Sequence, residues 1–177
     1  MSARYVGLLR GINVGTAKRV SMHDLRAVFT EHAFTDVQTL LNSGNVVFGA
    51  PKKLAATAAA GLSETLAALT GVSAKIVVLT TDEMQAISKD CALLKGATDP
   101  RRHLVAVPFS TSQLRSMKSI AAEPWGPEAI AIGKRAVYLW CPDGLTGSKL
   151  AKSVERELGA DVTIRNQATI SKIMAAL

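Results

Sequence analysis

Aromatic residues are scarce in this chain: four Phe, two Trp and two Tyr make up 5% of its 177 residues. A sheet surface that reads single-stranded RNA by stacking bases on rings has little to build with. Two cysteines, Cys91 and Cys141, are too few for a secreted disulfide framework, and they lack C-x-x-C spacing. They are expected to be free thiols in a cytoplasmic protein. No stretch of about 18 apolar residues occurs, so no spanning segment and no membrane partner are expected. Residues 1–10 lack the basic leader and long apolar run of a signal peptide. Charged side chains are only 20% and apolar ones 48%, which excludes a disordered or fibrous chain and predicts a folded core.

What is present begins with charge. Lys and Arg outnumber Asp and Glu by 21 to 14, a net of +7. Residues 1–90 hold nine basic and seven acidic side chains, a net of +2; residues 91–177 hold twelve and seven, a net of +5. The excess favours anionic partners, because the summed field raises their local concentration.

Patterning predicts a repeated order of elements. Residues 5–9 form a short apolar run that ends at a loop with two glycines. Ser21 and Asp24 stand as a capping box, with Val20 and Leu25 as its hydrophobic staple, for a helix over 22–32. Residues 38–41 and 46–48 flank Asn42-Ser43-Gly44-Asn45, the strongest hairpin signal in the chain. Leu54, Ala58, Leu62, Leu66 and Leu69 mark a second helix closed by Gly71, and residues 75–79 form a β-branched run. After Thr80 and Glu83 cap a short helix, the same order returns. A strand at 104–107 precedes a helix on Leu114, Met117 and Ile120, opened by Ser110 and Gln113. A hairpin joins 129–132 to 137–140, a helix on Leu150, Val154 and Leu158 stops at Gly159, and a strand at 162–164 precedes a final helix. The expected fold is α+β: two tandem ferredoxin-like βαββαβ halves with mostly antiparallel sheets and an extra C-terminal helix. The halves span 1–80 and 101–177, joined by a connecting helix and linker over 81–100.

Four strings carry a resemblance. Leu8-Leu9-Arg10-Gly11-Ile12-Asn13-Val14-Gly15 with Met22-His23-Asp24-Leu25-Arg26, then Asn42-Ser43-Gly44-Asn45-Val46-Val47-Phe48, resemble the opening and hairpin of the bacterial domain-of-unknown-function 1697 family. Leu145-Thr146-Gly147-Ser148-Lys149-Leu150 and Arg165-Asn166 with Thr169 resemble its C-terminal signature. Gln167 departs from the pattern, where the family usually carries Trp. The resemblance implies a cytosolic α+β protein of two related halves and no established activity, substrate or catalytic residue.

The same strings supply the candidate ligand-binding residues. Gly11 and Gly15 let backbone approach a ligand, while Arg10, Asn13, Lys18 and Arg19 supply donors suited to phosphate or carboxylate. Their glycine spacing is not the dinucleotide fingerprint. Lys149 precedes a helix whose N-terminal amides favour anions, although Gly144-Leu145-Thr146-Gly147-Ser148-Lys149 fails the phosphate-loop pattern and Ser148 or Thr146 could serve only as a cap. Asn166 is placed to cap the final helix, and Arg165 beside it adds a cation; Arg10 and Arg165 are both expected outside the core. Ser43 and Asn45 complete the set from the hairpin. No metal site is expected: His23 and His32, nine apart at about 100° per residue, lie on opposite helical faces. His103 stands alone, no nucleophile elbow surrounds Ser43, and no cofactor is implied.

The leading expectation is a binding protein for a small anionic ligand, phosphate-bearing or nucleotide-like. Nucleic-acid backbone binding through Arg101, Arg102, Arg115, Lys118, Lys134 and Arg135 of the second half is the first alternative. An enzyme of unrecognised chemistry is the second, since no acid–base pair stands out. Oligomeric state is not written in the sequence.

Overall fold

A computed structural model describes residues 2–16, 18–51 and 53–177. Ser21 opens the first helix as expected: its hydroxyl accepts from the Asp24 amide at 2.9 Å and donates to the Asp24 carboxylate at 2.7 Å. Helix α1 (Met22–Glu31) then buries Leu25, Val28 and Phe29. It lies between strands β1 (Ser2–Leu9) and β2 (Thr35–Leu40), and β3 (Asn45–Pro51), α2 (Ala58–Thr70) and β4 (Ile76–Thr80) follow. Gly71 ends α2 in the left-handed region at φ 69°. Leu54, expected in this helix, lies before it and packs against the same core.

Every pairing in the first sheet is antiparallel, in the order β2-β3-β1-β4. Tyr5, Leu9, Val46, Phe48 and Ile76 on one sheet face meet Leu25, Phe29, Leu62 and Leu66 in one core. The alternate row, Val6, Leu8, Val47 and Leu79, is wholly buried too. That explains why β1 reads as an unbroken apolar run and not as an alternation.

Thr80 and Glu83 cap α3 (Thr81–Asp90) reciprocally, at 2.9 Å from the Thr80 amide to the carboxylate and 3.2 Å from the Glu83 amide to the hydroxyl. A 3₁₀ turn (Cys91–Leu93) follows. The second sheet holds β5 (His103–Pro108), β6 (Ala129–Ile132), β7 (Val137–Trp140) and β8 (Val162–Asn166), antiparallel in the order β6-β7-β5-β8. Its helices are α4 (Met117–Ala121), α5 (Gly144–Gly147), α6 (Lys149–Leu158) and α7 (Gln167–Ala176). The chain is therefore α+β, with two four-stranded antiparallel sheets and, among the described residues, seven α-helices. Two compact units emerge: residues 1–84 with 175–177, and residues 85–174. No helix is long and apolar enough to cross a membrane.

Three expectations need correction. The helix expected over 114–120 splits into a 3₁₀ turn (Thr111–Arg115) and the short α4. Serine hydroxyls cause this: Ser116 and Ser119 each donate to a carbonyl three residues back, at 2.9 Å, competing with the α-helical ladder. The Gly144-to-Gly147 stretch, expected only to lead into the helix of Leu150, Val154 and Leu158, forms one helical turn of its own, and extended backbone at Ser148 separates it from α6. Finally, β8 continues to Asn166, so Arg165 pairs with Val105 inside the sheet and is only 8% exposed.

Glycine is required sterically at one hairpin of the second sheet. A Cβ on Gly133 would stand 2.6 Å from the Tyr138 ring and 2.7 Å from the Asp90 carboxylate, which accepts from the Lys134 amide.

Candidate functional site

Antiparallel pairing decides which loops share an end of the first sheet. Leu8 is opposite Asn45, Leu40 is opposite Asn45, and Leu9 is opposite Ile76. The exit from β1, the β2–β3 turn and the entry to β4 therefore meet. The Leu9 amide donates to Gly44 O and the Arg10 amide to Lys75 O, each at 2.9 Å. Close approach needs Gly44: at φ 82°, a Cβ there would lie 2.8 Å from Leu9 Cβ and 2.9 Å from Ile12 Cδ1.

Asn13 ties this end together. Its Nδ2 donates to Val20 O at 3.0 Å and to Asn42 O at 2.8 Å, while its Oδ1 accepts from the Val20 amide at 2.9 Å. Its backbone sits at φ 55°, a region that Asn tolerates better than other residues with a Cβ. Asn45 is wholly buried, and its Nδ2 donates to Leu40 O at 2.8 Å and to Ser43 Oγ at 3.0 Å. Both carboxamides are thus spent on holding the loops, so their place in the site is that of a frame. Ser43 is exposed at the turn.

Around this frame stand the cations. Arg10 is half-buried; Lys18 and Arg19 are exposed. Lys75, exposed at the entry to β4, joins them through its backbone. Lys75 was not legible as a site residue, because only the β1–β4 register brings it beside Arg10. The loops that build this end, residues 10–21, 41–44 and 71–75, contain no Asp or Glu, while Asp24 stands in the first turn of α1, which begins there. Asp24, just beyond, is held below the usual carboxylate range by hydrogen bonds from Ser21 and His23.

The second unit treats its polar groups differently. Lys149 is exposed at the start of α6, but that helix end is already capped. Ser148 Oγ accepts from the Ala151 amide at 2.8 Å, and Glu128 Oε2 accepts from the Leu150 amide at 3.1 Å. The chain's own carboxylate takes the place an anion would favour. Asn166 Oδ1 likewise accepts from the Thr169 amide and hydroxyl, each at 2.9 Å. Arg165 donates to Thr163 Oγ1 at 2.7 Å and to Ile164 O at 2.9 Å, and burial pushes its guanidinium down to about 10.

His103, 1% exposed, faces Gln167: Nδ1 donates to the carboxamide oxygen at 3.2 Å, and Nε2 has no partner. Burial lowers its pKa, against a smaller opposing effect of that hydrogen bond. Gln167 thus serves as a polar partner to a buried histidine. A shallow cleft nearby is lined by Asp99, Arg101, Arg102, Asp143 and Gly144. Its charges are partly spent on one another, since Asp99 accepts from the Arg101 amide at 2.9 Å and from its side chain at 3.4 Å.

Among the described residues no three His, Cys, Asp or Glu side chains cluster as metal ligands. His32 lies beyond α1 and contacts Thr65 Oγ1 at 2.9 Å, while exposed His23 lies 3.5 Å from the Asp24 carboxylate. Cys91 and Cys141 are free and buried, and desolvation pushes both thiols up to about 11, away from reactivity. Tyr5 and Phe48 stack on each other at 5.8 Å within the core, where no base could reach them.

Comparisons with known proteins agree on family and fold. One solved structure, described as that of conserved bacterial protein SP0830 from Streptococcus pneumoniae, superposes with a TM-score of 0.77 at 21% identity, covering 99% of each chain. At that identity the likeness shows the fold alone. No curated protein matches. A family model described as "Protein of unknown function (DUF1697)" matches residues 2–138, and the chain belongs to that family.

Proposed function

We propose that the protein binds a small phosphate-bearing anion at the end of its first unit where β1 leaves the sheet and β4 enters it. The observation that carries this reading is the convergence of Arg10, Lys18, Arg19 and Lys75 on loops that contain no Asp or Glu. A guanidinium offers a phosphate a planar fork and an ammonium offers a point charge. Asn13 and Asn45 supply rigidity, so less ordering entropy is lost on binding. Lys149, Arg165 and Asn166 were expected in the same site. Capping and burial give each helix end and the Arg165 guanidinium an internal role, and the reading rests on the first-unit residues.

The basic second half favours nucleic acid less than its charge suggests. Arg135 is 6% exposed and donates to Pro108 O at 2.7 Å, so it is withdrawn from the surface along with Arg165. For the whole chain, we read the repeated strand order as two ferredoxin-like halves, over 1–80 and 101–177, joined by 81–100. Free buried thiols fit a cytoplasmic protein.

A thermal-shift series with pyrophosphate, nucleotides and sugar phosphates tests the reading, since a ligand of the native state raises its melting temperature by mass action. Arg19→Ala should weaken the responding ligand by about 1.5–3 kcal/mol, the scale of a charge-assisted hydrogen bond. An unchanged affinity in both Arg19→Ala and Lys18→Ala would refute this placement.

A further inference from the structure

The cationic end is also the apolar end. Val14 is 69% exposed, Leu41 44% and Leu69 48%; among the described residues these are the large exposed hydrophobics of the first unit. Val14 follows Asn13, and Leu41 precedes Asn42, whose carbonyl accepts from the Asn13 side chain at 2.8 Å. That hydrogen bond places the two aliphatic side chains on adjoining loops. Leu69 is in the last turn of α2, which ends at the same end of the sheet.

Leu41 is held there against its own preference. Its φ of 57° lies in the left-handed region, where a bulky side chain is an outlier and where Gly or Asn would sit without strain. Lys18 and Asn13 share that conformation, at φ 52° and 55°. Strained backbone of this kind gathers where presentation of a side chain matters. Here what is presented is a leucine on a loop adjoining the one that carries Val14, Lys18 and Arg19. Bare phosphate has no use for exposed aliphatic groups, and solvation of them is unfavourable until something apolar covers them.

Building on the anion-binding reading, we infer that the ligand is a phosphate ester with an apolar body: the phosphate lies among Arg10, Lys18 and Arg19, and the body covers Val14 and Leu41. Charged heads and aliphatic bodies are then both matched by one surface. A soluble monoester satisfies this chemistry. A bilayer of anionic phospholipid offers similar groups in another form, and the experiment separates the two.

The test titrates the full chain with inorganic phosphate and with hexyl phosphate below its micellar concentration, by calorimetry. The same titrations are run on the double variant Val14→Thr, Leu41→Asn, whose fold is checked by circular dichroism and urea midpoint. Both sites are exposed and Asn suits the backbone at 41, so the variant should fold. The wild type should bind hexyl phosphate at least about tenfold tighter than inorganic phosphate, the scale expected for covering part of two aliphatic side chains. The variant should bind the two probes equally, with the affinity for inorganic phosphate unchanged. Equal binding by the wild type would overturn the apolar body and leave the anion site standing. Binding of neither probe would remove the anion site and this inference with it. Sedimentation with vesicles of phosphatidylcholine and phosphatidic acid, without a gain for hexyl phosphate, would overturn the soluble ester in favour of a membrane surface.

Discussion

The two units have the same strand order, yet they place polar residues in opposite ways. Among the described residues the first buries one polar side chain, Asn45; the second buries six, including His103, Arg135 and Arg165. In the first unit the carboxamides hold loops together, while Lys18, Arg19 and Lys75 are exposed. In the second, two of thirteen cations are inside, and its helix ends are closed by Ser148, Glu128 and Asn166. Net charge therefore misjudges the units. The half with the larger excess spends part of it on structure, while the half at +2 has exposed cations on the loops at one end of its sheet.

Removing Arg165 attacks that contrast hardest. Arg165→Ala should lower stability by about 2–4 kcal/mol, because a long buried side chain leaves a cavity and unsatisfied partners at Thr163 and Ile164. A urea titration reads this; an unchanged midpoint would mean that Arg165 is surface-like after all. The corresponding change at Arg19 should leave the midpoint within about 0.5 kcal/mol, as for an exposed residue.

Asn13→Ala comes next, at about 2 kcal/mol, from the loss of hydrogen bonds to Val20 and Asn42 and a worse residue at positive φ. It should also weaken anion binding without removing a charge. Full affinity in Asn13→Ala would separate the frame from the site. A smaller effect is expected at Ser21, where replacement by Ala should cost about 1 kcal/mol, the usual loss of an N-cap, and leave binding unchanged well below melting.

The first unit was the more legible in sequence. The Ser21 cap, the Asn42-to-Asn45 turn and the Gly71 stop all depend on residues within a few positions of one another, and each appears where local chemistry puts it. Arg10, Lys18 and Arg19 stood out as candidates because they share one glycine-punctuated loop. Lys75 was hidden because its neighbourhood is made by strand pairing. Asn13 and Asn45 were seen, but as ligand donors, because a side chain's partner across a loop is not encoded in spacing. Arg165 was misplaced by two residues of strand length: the run over 162–164 continues through a charged residue, which alternation alone would have put at a border. The 3₁₀ break near Ser116 depends on serine hydroxyls choosing backbone partners, and periodicity cannot register that choice.

The buried histidine gives the smallest effect. Burial lowers the folded-state pKa of His103 below its ordinary 6.5, so the unfolded chain binds the proton first. Stability from this group is complete above about pH 6.5 and declines as pH falls through that value toward the lower folded one. Urea midpoints between pH 7.5 and 5 should fall in the wild type and less steeply in His103→Gln. Parallel slopes would show that the ring is already solvated in the native state.

The division between binding cations and structural cations is tested most directly by a backbone-amide NMR titration with pyrophosphate. Shifts should concentrate in residues 10–19, 41–45 and 71–75 and should weaken with added salt, as charge-driven binding does. Shifts confined to the start of α6 and to residues 166–169 would contradict the account, because they would put the anion at the helix ends that Glu128 and Asn166 are held to close.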